Sequence, residues 1–345
     1  MKLDKAAYLS IILAFVGVVL VLAKDLLIPI VLAIFVWFII REIRMAMRKI
    51  KFVRQKMPRW LENVLASLFL FSLFGIIISV VSANVGLLSK RMPLYEENVN
   101  QVTMLINETF NIDLLEKIKA YSLNLELANI LQTVLNSVTS ILGNAFIILI
   151  YVLFMLLEEG GFLNKMRAIY PERENMDETL SILNSIDSSV GRYLLLKTLV
   201  SFTTGILSFI VLKIIGVDGA FFWAFLIFVL NFIPFIGSLV AILFPTAFAL
   251  LQFGEFGPAI WVISVIGFIQ VLVGNFIEPK IMGNSLNLSP LIVIIALSIW
   301  GALWGIIGMI MSVPITVILL ILLSRFPKTR PIAILLSEKG KLKEH

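Results

Sequence analysis

Apolar residues gather into eight long runs, at about 8–23, 26–40, 61–88, 138–157, 193–215, 219–253, 258–277 and 290–324, with polar residues collected between them. A helix needs roughly 20 apolar residues to cross a bilayer, so most of these runs predict one transmembrane helix each. Two runs do not fit: 219–253 and 290–324 are each 35 residues, long for one crossing and short for two with a turn. The first is broken near its middle by Asn231-Phe-Ile-Pro-Phe-Ile-Gly237 and the second by Trp300-Gly-Ala-Leu-Trp-Gly-Ile-Ile-Gly308. Pro234 lacks an N–H and disfavours helix at Ile233, Gly237 permits a left-handed turn, and Asn231 offers partners to the freed backbone. The pattern predicts two re-entrant helical hairpins, although a long helix kinked at proline would leave a similar trace.

Charge orders the segments between the runs. Arg41 to Arg59 holds eight basic residues against the single Glu42, which by the positive-inside rule makes 41–59 a cytoplasmic basic loop. The tail 325–345 carries six basic residues against Glu338 and Glu344 and belongs on the same side. Reading the first two runs as an in-and-out pair, with the first retained rather than cleaved as a signal peptide, puts both termini in the cytoplasm. The segment 89–137, with six acidic and four basic residues, then falls outside. Within and beyond it Leu127, Leu131, Val134, Val138 and Ile141 form a helical stripe running into the fourth span. That stripe is expected to pack on its own chain, with subunit assembly as the alternative. On the inner side, Leu180, Leu183, Ile186 and Val190 predict an amphipathic helix along the leaflet.

The predicted fold is an all-α integral membrane protein of about eight hydrophobic segments, two of them interrupted, plus an extracytoplasmic helical segment. Composition agrees: 60% of the 345 residues are hydrophobic, only 14% are charged, and mean hydropathy is +1.02. Such a chain is neither a disordered nor a nucleic-acid-binding protein, because its net charge of +6 sits beside apolar runs, as topology requires. With no Cys and only His345, thiol chemistry, thiolate or His-ligated metals and histidine acid–base catalysis drop out. There is no phosphate loop, nucleophile elbow or HExxH, so the sequence suggests neither an enzyme nor a cofactor.

Polar positions inside the spans carry the remaining chemistry. Ser264, Gly267, Gln270, Gly274 and Glu278 share one helix face, of which the glycines suit close helix packing. Gln270, Asn275 and Glu278 are candidate pathway residues. Glu278 precedes Pro279, which is expected to stop the helix and leave carbonyls unpaired, making a proton or monovalent-cation site; an ion pair with Lys280 or Lys197 is the plainer reading. Lys197, Ser201, Thr204 and Ser208 form a second polar stripe, and Lys197 is expected to snorkel to the inner face. Gly301, Gly305 and Gly308 suit packing or gating of hairpin arms. Paired interrupted segments point to a transporter's substrate site, so 193–324 reads as a transport core. Around it lie an N-terminal region 1–88, the segment 89–137, the helix and amphipathic segment 138–192 and the tail 325–345.

Four stretches, Asn231-Phe-Ile-Pro-Phe-Ile-Gly237, Glu278-Pro-Lys-Ile-Met-Gly283, Leu286-Asn-Leu-Ser-Pro-Leu291 and Trp300 to Met309 followed by Val313-Pro314, occur in an order that resembles the autoinducer-2 exporter family of bacterial membrane proteins. The resemblance covers nearly the whole chain. It implies a polytopic inner-membrane transporter of about eight segments, surrounded by lipid and assembled as a homo-oligomer, with a pentamer as one candidate. Members are assigned to export of the quorum-sensing furanone autoinducer-2 and others to Na⁺(Li⁺)/H⁺ antiport. The positions that carry over are Asn231, Pro234, Gly237, Glu278, Pro279 and Gly283. Export of a small polar solute, cation/proton antiport and a non-transport scaffold are the three functions considered.

The hairpin reading places Asn284 in the cytoplasm, whereas eight ordinary spans place it outside. A single cysteine at Asn284 of this cysteine-free chain is therefore expected to resist impermeant maleimide in intact cells and to react in inverted vesicles.

Overall fold

The structure is a computed structural model and describes residues 2–50, 55, 57–110, 145–169, 173–282, 287–340 and 342. Its helices in order are α1 (Lys2–Leu22), α2 (Lys24–Met47), α3 (Arg59–Phe110), α4 (Ala145–Ile169), α5 (Arg173–Ile215), α6 (Ala220–Leu230), α7 (Ile236–Phe253), α8 (Phe256–Leu272), a π-helical turn Val273–Ile277, α9 (Glu278–Met282), α10 (Pro290–Arg325) and α11 (Arg330–Leu336). Among the described residues seven helices are long and apolar enough to cross a membrane, accompanied by the shorter apolar stretches Ser10–Leu22 and Ala220–Leu230. The all-α membrane class is thus observed. The stripe from Leu127 to Ile141 lies outside the described residues, as does Gly283.

Several boundaries differ from the sequence reading, among them the amphipathic segment of Leu180 to Val190, which is not a separate helix but the first part of α5 and continues directly into the fifth span. Helix α2 runs to Met47, so Arg41 and Arg44 of the basic stretch are helical rather than in a loop. Helix α3 continues without interruption past residue 88 and through Pro93 to Phe110. At Ala23 (φ −93°, ψ 13°) the ladder bends but does not reverse, since Ala23 N–H still bonds Val19 O and Leu27 N–H bonds Ala23 O. The first two runs, expected to form an in-and-out pair, are therefore joined by a bend rather than a reversing turn.

The chain forms two compact units, each discontinuous in sequence. The first comprises Met1–Leu70, Asn144–Leu195 and Asn284–His345. Here α2 packs on α4, with Ala33, Phe35, Ile40, Val152 and Leu156 buried. The arginines of the basic stretch are neutralised by acids from other helices: Arg41 pairs with Asp187 at 2.7 Å, Arg48 with the buried Glu62 at 2.6 Å, and Arg44 donates to Glu159 at 3.0 Å and to Asn63. Removing one partner from such a pair would strand a charge.

Helix α10 has a length of 36 residues, about 54 Å if straight. Yet Ser289 N–H donates to Leu336 O at 3.0 Å and Glu338 N–H to Asn287 O at 3.3 Å, bringing both feet of the run together. Residues 326–336 reach at most about 40 Å fully extended, and most of them are helical, so they could not span a straight α10. The chain folds back at Gly305 (φ 63°, ψ −142°), a conformation available to glycine. Close to the fold, a Cβ on Gly308 would sit 1.9 Å from Trp300 O. The Trp304 indole N–H donates to Leu20 O at 2.9 Å and ties this tip to α1.

The second unit comprises Phe71–Gly143 and Leu196–Gly283. Its run 219–253 also folds back, with α6 and α7 antiparallel: Trp223 lies against Phe248 with ring centroids 4.9 Å apart, and Leu230 lies against Gly237. Only 11 residues long, α6 measures about 16 Å, half a hydrocarbon core. The turn is sharp because Phe235 adopts φ 60°, ψ −60° and Ile236 N–H closes on Pro234 O at 2.6 Å, a strained γ-turn. Helix α3 holds the base of this hairpin. Arg91 and the Tyr95 hydroxyl both bond Asp218, at 2.6 and 2.8 Å, and Asn98 donates to Leu251 O and Gln252 O. Burial and then the Asp218 carboxylate push the Tyr95 phenol well above its ordinary range, keeping it a donor.

A Cβ on Gly237 would lie 1.9 Å from Leu230 O, whereas one on Gly267 meets nothing within 4 Å. Gly237→Ala and Gly308→Ala are expected to lower the thermal midpoint in detergent or prevent folding, and Gly267→Ala to leave it unchanged; fluorescence-detected chromatography after heating checks this.

Candidate functional site

Helix α5 builds the site. One flank of its second half meets α6, where a Cβ on Gly205 would touch Ala224 O at 3.3 Å and Phe209 packs on Phe221 at 6.2 Å. The other flank meets α8 and the π turn, where Val200 clusters with Ile269 and Val273, and Val211 and Val265 pack against them. Between these flanks, at spacings of four, three and four, lie Lys197, Ser201, Thr204 and Ser208, all buried. A polar line therefore runs about 16 Å along α5 inside helical walls rather than along lipid.

Two sequence-predicted residues join this line. Asn231, where α6 gives way to the turn, is buried and its side-chain amide donates to Ser201 Oγ at 3.2 Å. Glu278 forms an ion pair with the Lys197 ammonium, whose side chain is 6% exposed against 22% for the carboxylate. The expected snorkelling of Lys197 does not occur; of the partners considered for Glu278, the structure selects Lys197, and Lys280 is exposed.

The π turn makes that pair. In an α-helix, position 278 would point about 140° away from position 273. Here Glu278 N–H bonds Val273 O, five residues back, so Glu278 comes round over Val273, the residue that packs on α5. Pro279 explains the widening: its ring clashes with the carbonyl four residues earlier and it has no N–H to donate, so the helix expands before it. Contrary to expectation the helix does not stop at Pro279, since α9 continues to Met282.

The register shift moves Glu278 off the face that Ser264, Gly267 and Gln270 share in α8. Ser264 and Gly274 are exposed, and a Cβ on Gly267 or Gly274 meets nothing within 4 Å, so neither glycine serves close packing. Of Ser264, Gly267, Gln270 and Gly274, Gln270 alone is buried, at 5% exposure. Asn275 and Pro279 are exposed. Pro234 and Gly237 shape the turn below Asn231, while Gly301, Gly305 and Gly308 shape the other unit's hairpin. Sequence reasoning missed the pairing of Ser201 with Asn231 and the π turn; a proline inside a helical run was the available signal for the latter.

Several buried polar atoms of this region lack partners: Gln270 Nε2, Ser208 Oγ and Thr198 Oγ1. An unsatisfied buried donor costs about 1–3 kcal/mol, and lipid offers no relief. Among the described residues no group of His, Cys, Asp and Glu has the make-up of a metal site.

Helical crossings around a buried polar line define a multi-pass α-helical membrane protein with polar groups enclosed in its interior. Comparison with known proteins places it further: residues 9–328 match the family described as AI-2E family transporter, and the chain belongs to that family. It is 31% identical over 323 residues to the AI-2 transport protein TqsA of Escherichia coli K12, covering 92% of this chain and 91% of the relative. It is 31% identical, with the same coverage, to a Haemophilus influenzae protein named for transport without a substrate. A Bacillus subtilis transport protein, YueF, is 24% identical over 86% of this chain and 83% of its own length. The family is one of membrane transporters.

Breaking the buried pair from one side should cost about 3–5 kcal/mol by stranding a charge. Lys197→Met and Glu278→Gln are each expected to lower the thermal midpoint in a sodium-free buffer, and the double variant to regain most of the loss, as a double-mutant cycle in detergent would measure.

Proposed function

We propose that this chain is a secondary exporter of a small polar organic solute, of the autoinducer-2 type for which its Escherichia coli relative is named. The observation that carries this is the enclosed polar line of Ser201, Thr204, Ser208 and Asn231, with Ser208 Oγ unpartnered, together with the buried, unpartnered Gln270 amide on α8. Neutral hydroxyls and amides suit a hydroxylated, uncharged solute, whose oxygens would take the missing hydrogen bonds. In this reading the interrupted runs are re-entrant hairpins, the Asn231–Gly237 turn gates the line, and Gly301, Gly305 and Gly308 let the second hairpin pack or gate. The protein would work as a homo-oligomer in the bacterial inner membrane, with the basic tail in the cytoplasm.

A second reading, Na⁺(Li⁺)/H⁺ antiport, is favoured by one observation, the Glu278 carboxylate beside a widened helical turn. Asn275, Pro279 and Gly283 would then contribute to an ion pathway rather than a solute pathway.

Proteoliposomes separate the two. Under the first reading, vesicles with purified protein release an autoinducer-2-type furanone, and Asn231→Ala slows release roughly tenfold, the equivalent of about 1.4 kcal/mol. Proton flux driven by Na⁺ or Li⁺ across an imposed pH gradient, abolished by Glu278→Gln, would replace it with antiport.

A further inference from the structure

The Lys197–Glu278 pair has a feature that export of a neutral solute does not use: it sets a fixed cation on the carboxylate that follows a widened helical turn. Glu278 supplies carboxylate oxygens. Pro279 has no N–H for the carbonyls of Gly274 or Asn275 on the turn just before it, so at least one backbone oxygen there lacks its helical donor. Carboxylate and carbonyl oxygens are the ligands a hard cation takes, and half-unwound helix beside an acid is where membrane transporters coordinate Na⁺. In this structure the charge at Glu278 is balanced by the Lys197 ammonium, fixed to the neighbouring helix and almost wholly buried.

We propose that Lys197 is a tethered cation: its ammonium occupies the position at Glu278 that a free Na⁺ or Li⁺ would otherwise take, and so excludes monovalent metal ions from this turn. A buried ion pair adds little stability over an apolar pair of the same volume, so stability alone does not account for it. Excluding a cation does. The ammonium is covalently attached and therefore competes at an effective concentration that solution Na⁺ does not match. The inference rests on reading this unit as the transport core and names the chemistry of its charged end: the chain itself supplies the cation that balances Glu278.

Replacing Lys197 should therefore create a sodium site. Purified protein is heated in NaCl, LiCl or choline chloride at equal ionic strength, and the unfolding midpoint is read by chromatography. Wild type is expected to show no difference between salts. Lys197→Met is expected to be stabilised saturably by Na⁺ or Li⁺ over choline, and Lys197→Met/Glu278→Gln to lose that response. Lys197→Arg, which keeps the cation, should behave as wild type. A Na⁺-specific rise in wild type that Glu278→Gln removes would overturn the proposal, as would a folded Lys197→Met indifferent to salt. If Lys197→Met is not recovered in choline, purification in NaCl decides: recovery only with Na⁺ or Li⁺ supports the tethered cation, and recovery in neither overturns it. This is an equilibrium measurement, so loss of furanone release with the salt responses intact would fail the export reading alone.

Discussion

Backbone polarity in an apolar surrounding is the constraint from which the rest of this structure follows. Where water is absent, each N–H and C=O must be bonded within the protein, and every place where α-helical bonding stops has to be closed by chemistry local to the break. Three of the breaks among the described residues of the second half are closed in different ways. At Phe235 a γ-turn and the Cβ-free Gly237 let two helices meet almost without a loop. At Gly305 a single glycine conformation reverses the run. At Val273–Ile277 the bonding lengthens from four residues to five, and Pro279 is absorbed without ending the helix.

The third break has the largest consequence for chemistry. By adding one residue to a turn it rotates Glu278 over Val273 and towards α5, where Lys197 would otherwise be a lone buried ammonium. Neither charge is tolerable there alone, so the proline, the widened turn and the ion pair form one dependent set. One turn of α5 further on, Ser201 receives Asn231 from the hairpin turn. The two interruptions of this unit therefore both deliver a polar group to the same face of one helix, about 6 Å apart along its axis.

Much of this was legible along the chain. Spans, interruptions and the residues that make them follow from local rules: proline removes a donor, glycine opens a conformation, and apolar length measures bilayer thickness. The polar stripe of α5 was legible as a 3.6-residue period, and Glu278 as a carboxylate beside a proline. Misreadings arose where a local rule met a tertiary partner. Lys197 reads from its own span as reaching for the interface, and its pairing with Glu278, 81 positions away, is legible only as one of two partners open to that acid. Glu278 shares a face with Gln270 only at a constant 3.6 residues per turn, and the π turn between them changes that pitch.

The sequence by itself determined that this protein is α-helical, membrane-embedded and broken at two places within long apolar runs, because those properties depend on the composition of single segments. Which polar groups share a site was decided only by the tertiary structure. Contact between Lys197 and Glu278 or between Ser201 and Asn231 depends on how helices distant in sequence are rotated about their axes, and that rotation is set by packing and by one extra residue in a turn. Nothing in the neighbourhood of any one of those residues encodes it.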